Sequence, residues 1–105
     1  MREKQSIEAM SQFLKALSDS TRLEIIRRIQ GKEHCVCEFV EMFDISQPAI
    51  SRHLKVLKTA EVILERRDRQ WIYYRLNEAH PQYGIVLQIL KGLESEPALS
   101  PACGC

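Results

Sequence analysis

Four cysteines fall in two pairs of equal spacing, Cys35-Val36-Cys37 and Cys103-Gly104-Cys105. Thiols spaced this way can grip a soft ion or exchange with a disulfide, and in both cases the reactive species is the thiolate. The first pair stands where a helix is expected to begin, so helix-end amides and the macrodipole should favour the ionised sulfurs. Positions two apart on an ideal helix point about 200° apart, so closing both sulfurs on one ion should distort that helix's first turn. His34, beside the pair, is read as an exposed polar residue at a helix start rather than a ligand. An enzyme is not expected, because neither pair is a Cys-x-x-Cys beside a βαβ pattern and 105 residues leave no second domain to form a pocket.

A second constellation is cationic. The net charge of +1 is unevenly spread: residues 1–45 carry seven basic and eight acidic side chains, residues 46–75 seven and three, and residues 76–105 one and three. The positive charge therefore sits in the middle third, and two copies of that segment would present two basic heads to a phosphate backbone.

The elements that must position these groups follow from periodicity. Ile7, Met10, Leu14 and Leu17 recur at helical steps behind a candidate cap, Ser6. Asp19 caps a second helix bearing Leu23, Ile26 and Ile29, which Gly31 should end. A third runs from about Cys35 to Phe43, followed by a tight turn at Asp44-Ile45. Ser46 caps a fourth helix that tolerates Pro48 in its first turn and buries Ile50, Leu54 and Leu57. Two short helices joined by a tight turn, the second carrying Arg52, His53, Lys55 and Lys58, make a helix-turn-helix. Val62–Arg66 and Gln70–Leu76 then read as strands joined by a cationic turn, Arg67-Asp68-Arg69, forming a β-hairpin wing. A last helix from about Pro81 carries apolar residues on more than one face, as a helix does when it packs on its own domain and on a second copy. The expected organisation is one domain over residues 1–95 and an extended, cysteine-bearing tail over 96–105, where Pro97 and Pro101 deny a helix. No apolar run approaches the roughly 18 residues that would span a bilayer, and the N-terminus leads into no secretory h-region. The expected compartment is the cytoplasm, with no membrane partner, where thiols stay reduced.

Over essentially its whole length the chain resembles the ArsR/SmtB family of metal-sensing repressors. The resemblance is carried by residues 14–22 (LKALSDSTR), Cys35-Val36-Cys37-Glu38, residues 46–54 (SQPAISRHL) and Tyr73-Tyr74-Arg75-Leu76. It implies a mainly α winged helix-turn-helix fold with a β-hairpin wing, dimerising through its first and last helices, and a repressor that leaves operator double-stranded DNA when an ion binds. Carried onto matching positions, DNA contacts fall on Ser46, Gln47, Ser51, Arg52 and His53 of the recognition helix and on Arg67 and Arg69 of the wing. The residue types suit the task, since Arg can fork onto guanine and Gln onto adenine in the major groove. Pro48 departs from the serine common in the family.

The resemblance also places the inducer on Cys35 and Cys37: arsenite, As(III), or another soft ion such as Sb(III), Cd(II) or Pb(II). Some arsenic sensors of the family carry a third cysteine one turn on, where this chain has Val40. Trivalent arsenic prefers three sulfurs, and the other cysteines of the chain are Cys103 and Cys105, so these are expected to complete the metal site. A second family site on the last helix is matched by Glu78 and His80, but Lys91 stands where a histidine would be, and an ammonium offers a cation no lone pair. No zinc site is expected there. The alternative to an ion sensor is a repressor of the same fold switched by thiol oxidation.

Overall fold

The structure is a computed structural model that describes residues 6–93. The tail over 96–105, with Cys103 and Cys105, lies outside the described residues, as does Glu94. The chain runs α1 (Ile7–Leu17), α2 (Ser20–Arg28), β1 (His34–Cys35), α3 (Val36–Phe43), α4 (Gln47–Thr59), β2 (Ile63–Asp68), β3 (Trp71–Leu76) and α5 (Tyr83–Gly92).

Three helices begin on the expected caps. The Ser6 hydroxyl accepts from the Ala9 amide, the Asp19 carboxylate from Arg22 and the Ser46 hydroxyl from Ala49, each satisfying an amide that the first helical turn leaves without a partner. Asp44 ends α3 in the left-handed conformation (φ 55°), which a short acidic side chain tolerates, and this turns the chain into α4 within three residues. The buried faces of the helices meet in one core, in which Phe13, Ile25, Ile26, Phe39, Ile50 and Leu57 are almost wholly enclosed. Truncating one of these to Ala would cost about 2–5 kcal/mol. The recognition helix α4 is thus held from beneath by Ile50, Leu54 and Leu57 while its opposite face stays exposed.

Two features differ from the sequence expectation. The hairpin turn is Arg69–Gln70, not Arg67–Arg69, because Asp68 still pairs with Trp71 and only Arg69 adopts the left-handed conformation (φ 62°). Arg67 is therefore a strand residue paired with Ile72. The wing is also not a lone hairpin: β1 adds a third antiparallel strand in the order β1-β3-β2, with His34 opposite Tyr74 and Cys35 opposite Tyr73. A two-residue strand leaves no alternation to detect, so periodicity could not reveal it.

Candidate thiol site and nucleic-acid interface

Cys35 is both the last residue of β1 and the N-cap of α3, with an extended backbone (φ −101°, ψ 168°). Cys37 lies in the first turn of the helix. Because Cys35 is not itself helical, the 200° separation of an ideal helix does not apply, and the two sulfurs stand 2.7 Å apart. The expected distortion of the first turn on ion capture is therefore unnecessary. Cys35 is buried and Cys37 exposed, so the pair offers one anchored sulfur and one at the surface.

The same helix start is fixed by Glu38, whose carboxylate accepts from the Cys35 amide at 2.9 Å and lies 3.0 Å from Nδ1 of His34. Burial raises the Glu38 pKa, but the Cys35 amide and His34 outweigh it and hold the carboxyl below the usual range. His34 is not the exposed residue the sequence suggests: it is 8% exposed, with its ring packed on Phe39. The Cys37 thiol is pushed up, first by its contact with the Cys35 sulfur and then by burial and nearby negative charge. The helix end therefore does not make Cys37 a ready thiolate. Among the described residues no three His, Cys, Asp or Glu side chains gather as a metal cage. Two converging sulfurs are the donor set here, and their softness fits a thiophilic ion better than a hard one.

The sulfurs open on a cleft of about 300 Å³ lined by Cys35, Val36, Cys37, Gln47, Gln70, Trp71 and Ile72. It brings together the start of α3, the first residue of the recognition helix and the turn end of the wing. Gln70 and Trp71 went unnoticed in the sequence because nothing local marks them; pairing with β1 is what brings them beside the cysteines.

Ser46, Gln47, Ser51 and Arg52 are exposed along the start of α4, and Arg67 and Arg69 are exposed on the wing. His53 is placed differently. Its side chain is 23% exposed, and its Nδ1 lies 3.1 Å from a guanidinium nitrogen of Arg22 and 3.8 Å from the Asp19 carboxylate. Since Arg can only donate, Nδ1 accepts and the ring carries its proton on Nε2. Arg22 also donates to the carbonyls of Ala16 (2.8 Å) and Lys15 (3.2 Å), so one guanidinium ties the end of α1 to the recognition helix. On the wing, Arg66 is taken up by Glu33 in a two-pronged ion pair (2.7 and 3.0 Å) and lies over the Tyr73 ring, leaving Arg67 and Arg69 as the outward cations.

His80, matched to the family's second site, is also committed. Its Nδ1 accepts from the Gln82 amide at 2.8 Å, its Nε2 donates to the Ala60 carbonyl at 3.1 Å, and its ring packs near Phe13. It joins α1, α4 and α5 and has no nitrogen left for an ion.

Residues 19–64 match the bacterial regulatory protein, arsR family. The chain is 44% identical over 80 residues to the arsenic resistance transcriptional regulator ArsR1 of Pseudomonas putida, covering 75% of this chain and 61% of that protein. It is 36% identical over 100 residues to the arsenical resistance operon repressor of Staphylococcus aureus, covering 95% and 91%. Among solved structures it resembles the transcriptional repressor BigR from Xylella fastidiosa, with 28% identity, a TM-score of 0.68 and coverage of 85% and 90%. With the cysteine pair, the winged helix-turn-helix and these relatives in agreement, the chain belongs to the arsR family of bacterial regulatory proteins, transcriptional regulators rather than enzymes.

Proposed function

We propose that this protein is a cytoplasmic, homodimeric repressor that holds operator DNA when ion-free and releases it when arsenite, or antimonite, cadmium or lead, binds Cys35 and Cys37. The observation that carries this reading is the cleft itself: two sulfurs 2.7 Å apart share one cavity with the first residue of the recognition helix and the turn end of the wing. An ion held there touches every element that meets DNA. Relatives named for arsenic resistance support the choice of a metalloid. No helix among the described residues is long and apolar enough to cross a membrane.

Ser46, Gln47, Ser51 and Arg52 serve as the reading edge in the major groove, and Arg67 and Arg69 as phosphate contacts. His53, already bonded to Arg22, serves as a strut that orients the helix. Trivalent arsenic takes three sulfurs, so Cys103 or Cys105, from the same or the partner subunit, supplies the third. The apolar outer face of α1, where Ile7 is 88% and Leu14 51% exposed along an open groove, supports α1 as part of the dimer seam with α5, whose Ile85 is 40% exposed.

Titrating the reduced protein on its promoter DNA against arsenite, antimonite, cadmium, lead and zinc tests this. Release by the soft ions and not by zinc is expected; release by none of them overturns it. The closeness of the two sulfurs also suits a redox switch, and release by peroxide alone would favour that reading.

A further inference from the structure

Cys35, as an N-cap, already brings its sulfur to that of Cys37, so ion capture need not deform α3. The signal to DNA must then leave through another wall of the cleft. Its remaining walls are Gln47 and the wing residues Gln70, Trp71 and Ile72. Gln47 is the first residue of α4 and is exposed, and its amide has two uses that exclude each other. Extended, it can pair with an adenine edge; turned inward, its carbonyl oxygen can rest against the electron-poor atom held by the sulfurs.

We propose that Gln47 is the residue for which ion and operator compete: the ion draws its amide into the cleft and so removes it from the major groove. This rests on the reading that Cys35 and Cys37 hold the ion. The scale is sufficient without a large rearrangement, because loss of one bidentate base contact weakens binding roughly 5- to 150-fold, the usual range of allosteric coupling. Reciprocity requires that operator DNA weaken ion binding by the same factor.

The test uses the reduced full chain, sodium arsenite and promoter DNA carrying single-base substitutions. Fluorescence of Trp71, the one tryptophan of the chain and a wall of the cleft, reports ion binding without DNA. Arsenite-loaded protein should lose its discrimination at one adenine position while the slope of log K against log salt is unchanged. In Gln47→Ala, ion-free affinity for the operator should fall to near that of the loaded wild type. The Trp71 response should persist, and arsenite should then change DNA affinity by less than about twofold. A Gln47→Ala protein that releases DNA by the full wild-type factor overturns the inference, as does a loaded wild type that keeps its base preference but shows a shallower salt slope, which would assign the signal to the wing. A Trp71 response that is missing, or that survives in Cys37→Ser, removes the thiol reading and the inference with it.

Discussion

Cys35 lies directly opposite Tyr73 across β1 and β3, and Arg66 of β2 faces Tyr73 from the other side. The buried thiol is thus a member of the wing sheet, while its partner Cys37 stands at the surface. This asymmetry predicts different costs for the same substitution. Cys37→Ser should leave thermal stability within about 0.5 kcal/mol of the parent, as for other surface changes. Cys35→Ser takes a buried sulfur out of the wing sheet, and the cap that its hydroxyl gives the start of α3 offsets only part of that loss, so it should cost about 1 kcal/mol. Both should retain operator binding and lose release by arsenite. Equal melting temperatures for the two would contradict the burial difference.

The raised pKa of Cys37 separates the inducers by pH. A thiol binding Cd(II) must give up its proton, and Cys37 is held in the protonated form by Cys35 and by burial. Cadmium affinity should therefore climb with pH across the neutral range, about tenfold per pH unit for each proton released. Arsenite behaves otherwise: each thiol condensing with As(OH)₃ forms a sulfur–arsenic bond and releases water, with no net proton. Its affinity should be flat with pH while the thiols and arsenous acid stay protonated. Isothermal titration in two buffers of different ionisation heat counts the protons directly, and equal proton release for both ions would refute this contrast.

The helices were readable in the sequence because their signals are local. Ser6, Asp19 and Ser46 each sit three residues before the amide they cap, and the apolar stripe of α4 is the stripe that is buried. The cysteine pair was equally visible. The convergence of its sulfurs was not, because that depends on Cys35 leaving helical geometry to join a strand whose partner lies 38 residues away. His34, His53 and His80 look like polar surface or site residues in one dimension, yet their rings engage Glu38, Arg22 and Ala60 respectively. A histidine's partner is set by tertiary approach, and the sequence offers only its type. The wing turn begins two residues later than expected for a similar reason: the pairing of Asp68 with Trp71 decides it, and three consecutive polar residues do not.

Arg22, His53 and Asp19 form a strut whose loss should act on DNA at a distance. Removing the guanidinium in Arg22→Ala leaves the Ala16 carbonyl and the His53 ring without their donor, while the Lys15 carbonyl keeps the Ser18 amide and hydroxyl, and should cost about 1–3 kcal/mol of stability. Operator affinity should fall with little change in base preference, because α4 is less well held while its reading residues are intact. The Asp19 carboxyl adds a pH signature. Burial raises its pKa, but the Arg22 amide, His53 and the Arg22 guanidinium outweigh this and bring it below 3.8. A depressed carboxylate stabilises the fold above its unfolded pKa and loses that contribution as pH falls through the folded value. Asp19→Asn should therefore flatten the acid limb of stability below about pH 4, and an unaltered limb would show that the cap is not ionised in the native state.

The α1 face gives a test of assembly that leaves the core untouched. Leu14 is 51% exposed and sits with Ile7 and Met10 in an open groove, whereas Phe13 beside it is buried. Leu14→Glu should fold normally and sediment as a monomer, because a carboxylate buried without a partner at a dimer seam is strongly disfavoured. Operator affinity should drop steeply, since two half-sites are no longer bound by one particle. A Leu14→Glu protein that remains dimeric would move the seam elsewhere.

The reading helix and the wing should separate by mutation. Arg52 is exposed on α4, while Arg67 extends from a wing strand whose neighbour Arg66 is locked to Glu33. A guanidinium that forks onto a guanine edge contributes roughly 1–3 kcal/mol of discrimination, so Arg52→Ala should weaken binding to the operator and flatten preference at one base pair. A phosphate contact carries no sequence information. Arg67→Ala should therefore weaken all sequences alike and reduce the slope of log K against log salt by about one. Competition binding against an operator library at several salt concentrations measures both quantities together. Retention of full base preference in Arg52→Ala, or a change of preference in Arg67→Ala, would reverse the two roles.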